Sequence, residues 1–192
     1  MPPRTDHHLE ERILKVAQNL WKAKGEQGLT LRAVAKHAGT TTPTVYKRFK
    51  NREALLVALS SRLRNQLNEE LFAARSLEEV HRIYLRWAEQ HPHEYELLYR
   101  SWHLIFHPNL PRPGRAWFMT RLAERNGGAP EDYAQAFVAI FAMAHGAASL
   151  IIKAADETAR EELRTNYLRS ADALLQNVRI LCPQEKRPSS AA

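Results

Sequence analysis

Apolar residues recur at helical intervals almost from the start of the chain to residue 181, and no alternating β-branched run bounded by turns interrupts them. Leu9, Ile13, Val16, Ala17, Leu20 and Trp21 fall at i, i+4, i+7, i+8, i+11 and i+12, the stripe of an amphipathic helix that Gly25 can end as a C-cap. Thr30 then precedes Leu31 to Ala38, which predicts a short helix with a Thr N-cap and a stop at Gly39. Thr41 can cap a third helix to about Phe49, with Pro43 in its first turn, where the missing N–H is harmless. Two short helices joined by a Gly-containing turn form a helix-turn-helix.

Beyond residue 50 the pattern stays helical. Asn51 or Arg52 opens a long helix through Leu55, Leu59, Leu63, Leu67 and Leu71 to about residue 74. Ser76-Leu77-Glu78-Glu79 reads as a capping box for a helix that ends near His91-Pro92. Further helices are predicted at about 93–106, 115–126 (stopped by Gly127-Gly128), Pro130 to about Ala155, and 157–181. This gives an all-α chain of about nine helices, with residues 182–192 as a disordered tail. Tyr133 to Ile152 carries no Lys, Arg, Asp or Glu and is long enough to cross a bilayer. Its Gln135, His145, Gly146 and Ser149, set in an alanine-rich background, predict instead a helix buried on most sides by protein and no membrane partner.

At 192 residues, with 44% hydrophobic and 26% charged, the composition is that of a globular protein. The single cysteine, Cys182, excludes an internal disulfide, and the opening residues carry no apolar signal core, so a cytoplasmic location is expected. The net charge of +7 is unevenly placed: residues 1–52 hold eleven Lys and Arg against four Asp and Glu, and the remainder balances. A basic head on a neutral body points to a polyanionic partner.

The stretch from Gly28 to Leu56 resembles the DNA-binding domain of the TetR/AcrR family of bacterial transcriptional regulators, matching at Ala38-Gly39, Thr44, Tyr46, Phe49, Glu53 and Leu55. Departures are Thr40-Thr41 for the usual Val-Ser, Arg48 where His or Tyr is common, and Arg52 for Lys. The resemblance implies a three-helix DNA-binding domain at 1–50 and a ligand-binding and dimerisation domain at 51–181. It implies a homodimeric repressor, not an enzyme, released from a palindromic double-stranded operator by a small apolar or aromatic effector, with no cofactor. Thr42, Pro43, Thr44 and Lys47 would face the major groove, Arg32 would reach a guanine, and Thr30, Tyr46, Arg48, Lys50 and Arg52 would bind phosphates.

In the body, aromatic residues at helical spacing mostly fill core, yet their density suits an aromatic-walled pocket. The candidate ligand-binding residues are Tyr84, Trp87, Tyr99, Trp102, His103, Phe106, Phe118, Phe137 and Phe141. His103 and His107 are four apart, with His91 and His93 nearby, a spacing that could hold a transition metal. Without a thiolate cluster or carboxylate pattern among them no metal site is expected, and the alternative of a small helical enzyme or metal-binding protein using these histidines is the weaker reading. His145-Gly146 resembles a His-Gly step of the family's penultimate helix. In such proteins the last two helices pair with their copies, so Ala142, Gly146, Ser149, Ala171 and Leu175 are candidate dimer contacts.

Overall fold

The computed structural model describes residues 7–100 and 112–182, which contain α-helices and 3-10 turns and no strand. The helices are α1 (His7–Gly28), α2 (Leu31–His37), α3 (Thr42–Arg48), α4 (Arg52–Phe72), α5 (Leu77–Gln90), α6 (Pro92–Arg100), α7 (Pro113–Asn126), α8 (Ala134–Ile152) and α9 (Glu157–Gln176). Pro130–Tyr133 and Val178–Leu181 are 3-10 turns, so the helix expected to begin at Pro130 starts regular α geometry only at Ala134.

Local chemistry sets the ends. Gly25 breaks α1 at φ 56°, a left-handed conformation that costs glycine little. Thr30 Oγ1 accepts the Ala33 N–H at 3.1 Å and Thr41 Oγ1 accepts the Thr44 N–H at 3.3 Å, as N-cap residues do. Ser76 Oγ accepts from Glu79 N at 3.2 Å, while the Glu79 carboxylate reaches past the cap to accept from Arg75 N at 2.7 Å. Asn51 Oδ1 opens α4 by accepting from Ala54 N, and Asp156 Oδ1 opens α9 by accepting from Ala159 N, both at 2.8 Å.

The chain divides into two compact units, Met1–Leu67 with Gln90–Leu110, and Asn68–Glu89 with Pro111–Ala192. The sequence places a boundary near residue 50, whereas by compactness most of α4 and all of α6 group with the helix-turn-helix. Side-chain bonding within the first unit gives the reason. Gln18 of α1 bonds Gln66 and Arg62 of α4, each at 3.0 Å, and the Trp21 indole N–H donates to the His93 carbonyl of α6 at 2.6 Å. Ile13 and Ala17 of α1 and Leu55, Leu59 and Leu63 of α4 are fully buried, each leucine contributing about 1.5–3 kcal/mol.

In the second unit α8 packs on α9 and α7, around a core that includes Leu122, Tyr133, Ala136, Ile140, Leu175 and Val178. The Tyr133 hydroxyl donates to the Gly127 carbonyl at 2.6 Å, so the buried phenol is satisfied. The expectation that α8 is buried on most sides needs correction. Ala136, Ile140, Ala144, Ala148 and Ile151 form its buried stripe, while Val138, Ala142, Gly146 and Leu150 lie exposed on the other side. The apolar run therefore has a face that stays exposed among the described residues.

Candidate nucleic-acid interface and effector region

The helix-turn-helix is assembled by burying one face of each short helix. Leu31, Val34 and Ala35 of α2, Val45 of α3 and the following Phe49 are buried, leaving the polar faces outward. Gly39, at φ 62°, makes the turn between the helices, with Thr40 N–H donating to Ala35 O at 3.0 Å and Ala38 N–H to Val34 O at 2.9 Å. Arg12 Nε of α1 clamps the same turn by donating to Ala38 O at 3.0 Å.

Most of the predicted DNA-contacting residues share this module's surface. Thr30, Arg32, Pro43, Tyr46, Lys47 and Lys50 are exposed, and Thr42, Thr44 and Arg48 are half-buried. Tyr46 is 52% exposed although α3 needs apolar residues for its own packing, so the ring is held outward. Among the described residues Arg32, Lys47, Arg48 and Lys50 take part in no ion pair. Thr44 differs in part, because its hydroxyl lies 2.8 Å from Thr41 Oγ1.

Arg52 is engaged inside the protein. Its Nε donates to Leu29 O at 3.0 Å and a terminal nitrogen to Glu26 O at 3.2 Å, tying the start of α4 to the turn after α1. It also sits 3.5 Å from the Glu26 carboxylate, which Arg100 bonds as well. Arg100, with Arg52, holds the Glu26 carboxyl below its usual range. The charge of this acid is thus balanced from within the protein.

The predicted effector residues are distributed over both units. Tyr99 lies on α6 in the first, its ring centroid 4.5 Å from that of Tyr95. Tyr84 and Trp87 of α5, Phe118 of α7, and Phe137 and Phe141 of α8 belong to the second. There Phe118 meets Phe137 edge-on at 6.0 Å, and Phe137 stacks on Phe141 at 5.7 Å. Trp102, His103 and Phe106, with His107, lie outside the described residues, as does the tail from residue 183. Among the described residues no three His, Cys, Asp or Glu side chains gather as a metal site.

The sequence reading missed His81. It is 2% exposed on α5, its Nδ1 hydrogen-bonds the Tyr167 hydroxyl, its ring meets Phe118 edge-on at 6.4 Å, and its Nε2 has no partner. Burial pushes its pKa down to about 4, so it is neutral at physiological pH. The only signal in the sequence is its place in α5, between Val80 and Ile83, where the pattern calls for an apolar residue.

Of the dimer candidates, Ala142 and Gly146 are exposed and Ser149 is half-buried on the outer side of α8. A Cβ added at Gly146 would meet nothing within 4 Å. Ala171 and Leu175 are each 1% exposed, inside the second unit. Their apolar side chains serve α9's packing within the chain and have no surface left for a second copy.

Residues 13–59 match the family model described as bacterial regulatory proteins, tetR family, and residues 77–165 match a tetracyclin repressor-like C-terminal domain. No curated protein matches the chain in sequence. Among solved structures, a TetR transcriptional regulator from Rhodococcus sp. RHA1 is 18% identical with a TM-score of 0.62, covering 89% of this chain and 98% of its own. A TetR-family transcriptional regulator from Streptomyces coelicolor is 23% identical with a TM-score of 0.62, covering 87% and 99%. A TetR variant from Acinetobacter baumannii AYE, in complex with minocycline, is 17% identical with a TM-score of 0.66, covering 91% and 98%. These identities show a shared fold. Together with the two family models and an outward, basic helix-turn-helix, they establish that the chain belongs to the tetR family of bacterial regulatory proteins and is a DNA-binding transcriptional regulator.

Proposed function

We propose that the protein is a homodimeric repressor that leaves a near-palindromic operator when a small apolar or aromatic molecule binds its C-terminal body. The observation that carries the reading is the set of cations without an ion pair among the described residues, Arg32, Lys47, Arg48 and Lys50, on a helix-turn-helix within the first 52 residues, which hold the chain's whole charge excess. Thr42, Pro43, Thr44 and Lys47 enter the major groove, and Arg32 reads a guanine through two parallel hydrogen bonds. Thr30, Tyr46, Arg48 and Lys50 hold phosphates. Arg52 positions the helix that follows and reaches a phosphate only with the part of its guanidinium left outside its two carbonyl bonds.

A second copy covers the outer stripe of α8, so that Val138, Ala142, Gly146, Ser149 and Leu150 form the seam in place of the Ala171 and Leu175 contacts. A lipid surface is the poorer partner, since the buried stripe of the same helix is committed to the protein core. For the effector, Tyr84, Trp87, Phe118, Phe137 and Phe141 supply the aromatic walls, and the minocycline-bound relative supports a small-molecule site in this fold. The operating compartment is the cytoplasm, where the DNA is.

The test is selection of bound duplexes from a random pool, followed by titration at increasing salt. The expected result is an inverted repeat, half-sites a whole number of turns of about 34 Å apart, with affinity falling steeply as salt rises. Recovery of unrelated sequences bound without salt dependence refutes the reading and reopens the weaker alternative of a helical enzyme.

A further inference from the structure

The second unit contains two hydrogen-bonding groups that folding leaves unsatisfied, joined by one aromatic cluster. Arg115 lies in the first turn of α7. Its Nε is buried with no acceptor, and among the described residues no carboxylate pairs with its guanidinium. Its guanidinium carbon sits 6.0 Å from the centre of the Phe137 ring, within range of a cation–π contact. Phe137 meets Phe118, and Phe118 meets His81, whose Nε2 is the second unsatisfied atom.

Each of these groups is costly as it stands. A buried donor without an acceptor loses roughly 1–3 kcal/mol, and more when it is charged. Guanidinium can only donate, so the missing partner of Arg115 is an acceptor. A carboxylate fits best, because it matches the charge and can take two N–H groups side by side. The direction of the Tyr167 hydroxyl bond at Nδ1 decides how His81 can serve. When that hydroxyl donates to Nδ1, the neutral ring carries its proton on Nε2 and offers a second donor. Phe137 and Phe141 are only partly buried and stacked, an apolar wall beside the cation.

We infer that the second unit binds a small aromatic carboxylate, its anionic group held by Arg115 and its ring against Phe137 and Phe141, with His81 Nε2 a further donor at the other end of the aromatic cluster. The inference rests on the effector reading above and narrows the effector from apolar or aromatic molecules in general to lipophilic anions. Neither Arg115 nor His81 is needed for DNA contact, so both can be changed without altering the basic module.

Calorimetric titration of the full-length protein, free of DNA, tests it with benzoate, phenylacetate and 2-naphthoate, each paired with its uncharged carboxamide. At least one acid is expected to bind one per chain and at least tenfold more tightly than its amide. Arg115→Gln should abolish that preference and Arg115→Lys should restore part of it. His81→Gln should weaken acid and amide to a similar degree. Arg115→Met adds a readout that a structural role would not give: thermal stability of the free protein unchanged or raised, with acid binding lost. No binding by any of the three acids, equal binding of acid and amide, or a preference that survives Arg115→Gln overturns the inference. The repressor reading is tested separately, by the operator selection and by whether any small molecule releases the selected duplex.

Discussion

Arg32 and Lys50 are both exposed and, among the described residues, both without an ion pair, yet the interface asks different things of them. A bidentate contact to guanine discriminates between bases, whereas a phosphate contact serves every sequence alike. Arg32→Ala is therefore expected to lose about 1–3 kcal/mol at one base pair in each half-site, and Lys50→Ala to weaken operator and random DNA equally while lowering the salt slope by about one. Competition binding with single-base operator variants checks this, and equal losses on all DNA for Arg32→Ala would remove its base-reading role. His81 acts on stability instead. Its imidazole, at about 4 in the fold against 6.5 in the open chain, feels burial first, then Asp172 and Glu78 pulling upward and Arg82 pushing downward. Between those values the unfolded chain binds the extra proton, so stability should fall as pH drops through this window, by about 3 kcal/mol, with no further loss from this group below pH 4. Urea midpoints taken near pH 7 and pH 4.5 should differ less in His81→Gln than in the unaltered protein; an unchanged difference assigns the pH dependence elsewhere. The exposed basic residues could be found from the sequence because solvation and charge are properties of single positions. His81 and Arg115 could not, since the fault that marks them is a partner missing from another helix.

For the elements, the parts that were legible are those decided within a few residues. The caps at Thr30, Thr41 and Ser76, the break at Gly25 and the turn at Gly39 were all readable because each depends on one side chain or one backbone angle. Gly39 makes the point quantitatively. A Cβ there meets nothing within 4 Å, so Gly39→Ala is expected to cost only the left-handed backbone penalty, about 1–2 kcal/mol, seen as a lower midpoint in thermal unfolding. Grouping α6 with α1 was not legible, since it depends on a bond between Trp21 and His93 that no local pattern encodes. The outer stripe of α8 was misread for a related reason: apolar periodicity records that a face is to be covered, not whether the same chain covers it. Gly146 lies on that stripe with open space around it. Gly146→Leu should consequently leave helix content and chain stability intact while shifting sedimentation toward monomer. If the variant stays as dimeric as the parent, the α8 seam is wrong.

At the scale of the whole molecule, the basic module and the effector cluster belong to different compact units, and α4 is the helix whose chain passes from one to the other, from Arg52 to Phe72. Arg52 at its first turn is bonded to the carbonyls of Leu29 and Glu26, beside the recognition helices, while Phe72 at its end lies 5.1 Å ring to ring from Trp117 of α7, two residues from Arg115. A ligand that favours one arrangement of this helix changes the spacing of two recognition helices in a dimer, and DNA pitch admits only some spacings. Release can then be no larger than the ligand's preference for the arrangement that does not dock. Linkage makes the argument two-sided: if the effector lowers operator affinity by some factor, saturating operator must lower effector affinity by the same factor. The pair of titrations, effector into free protein and into protein saturated with the selected duplex, should therefore give affinities whose ratio equals the operator affinities with and without effector. An effector that binds free and DNA-bound protein equally well has no equilibrium coupling to the operator, and α4 would then transmit nothing.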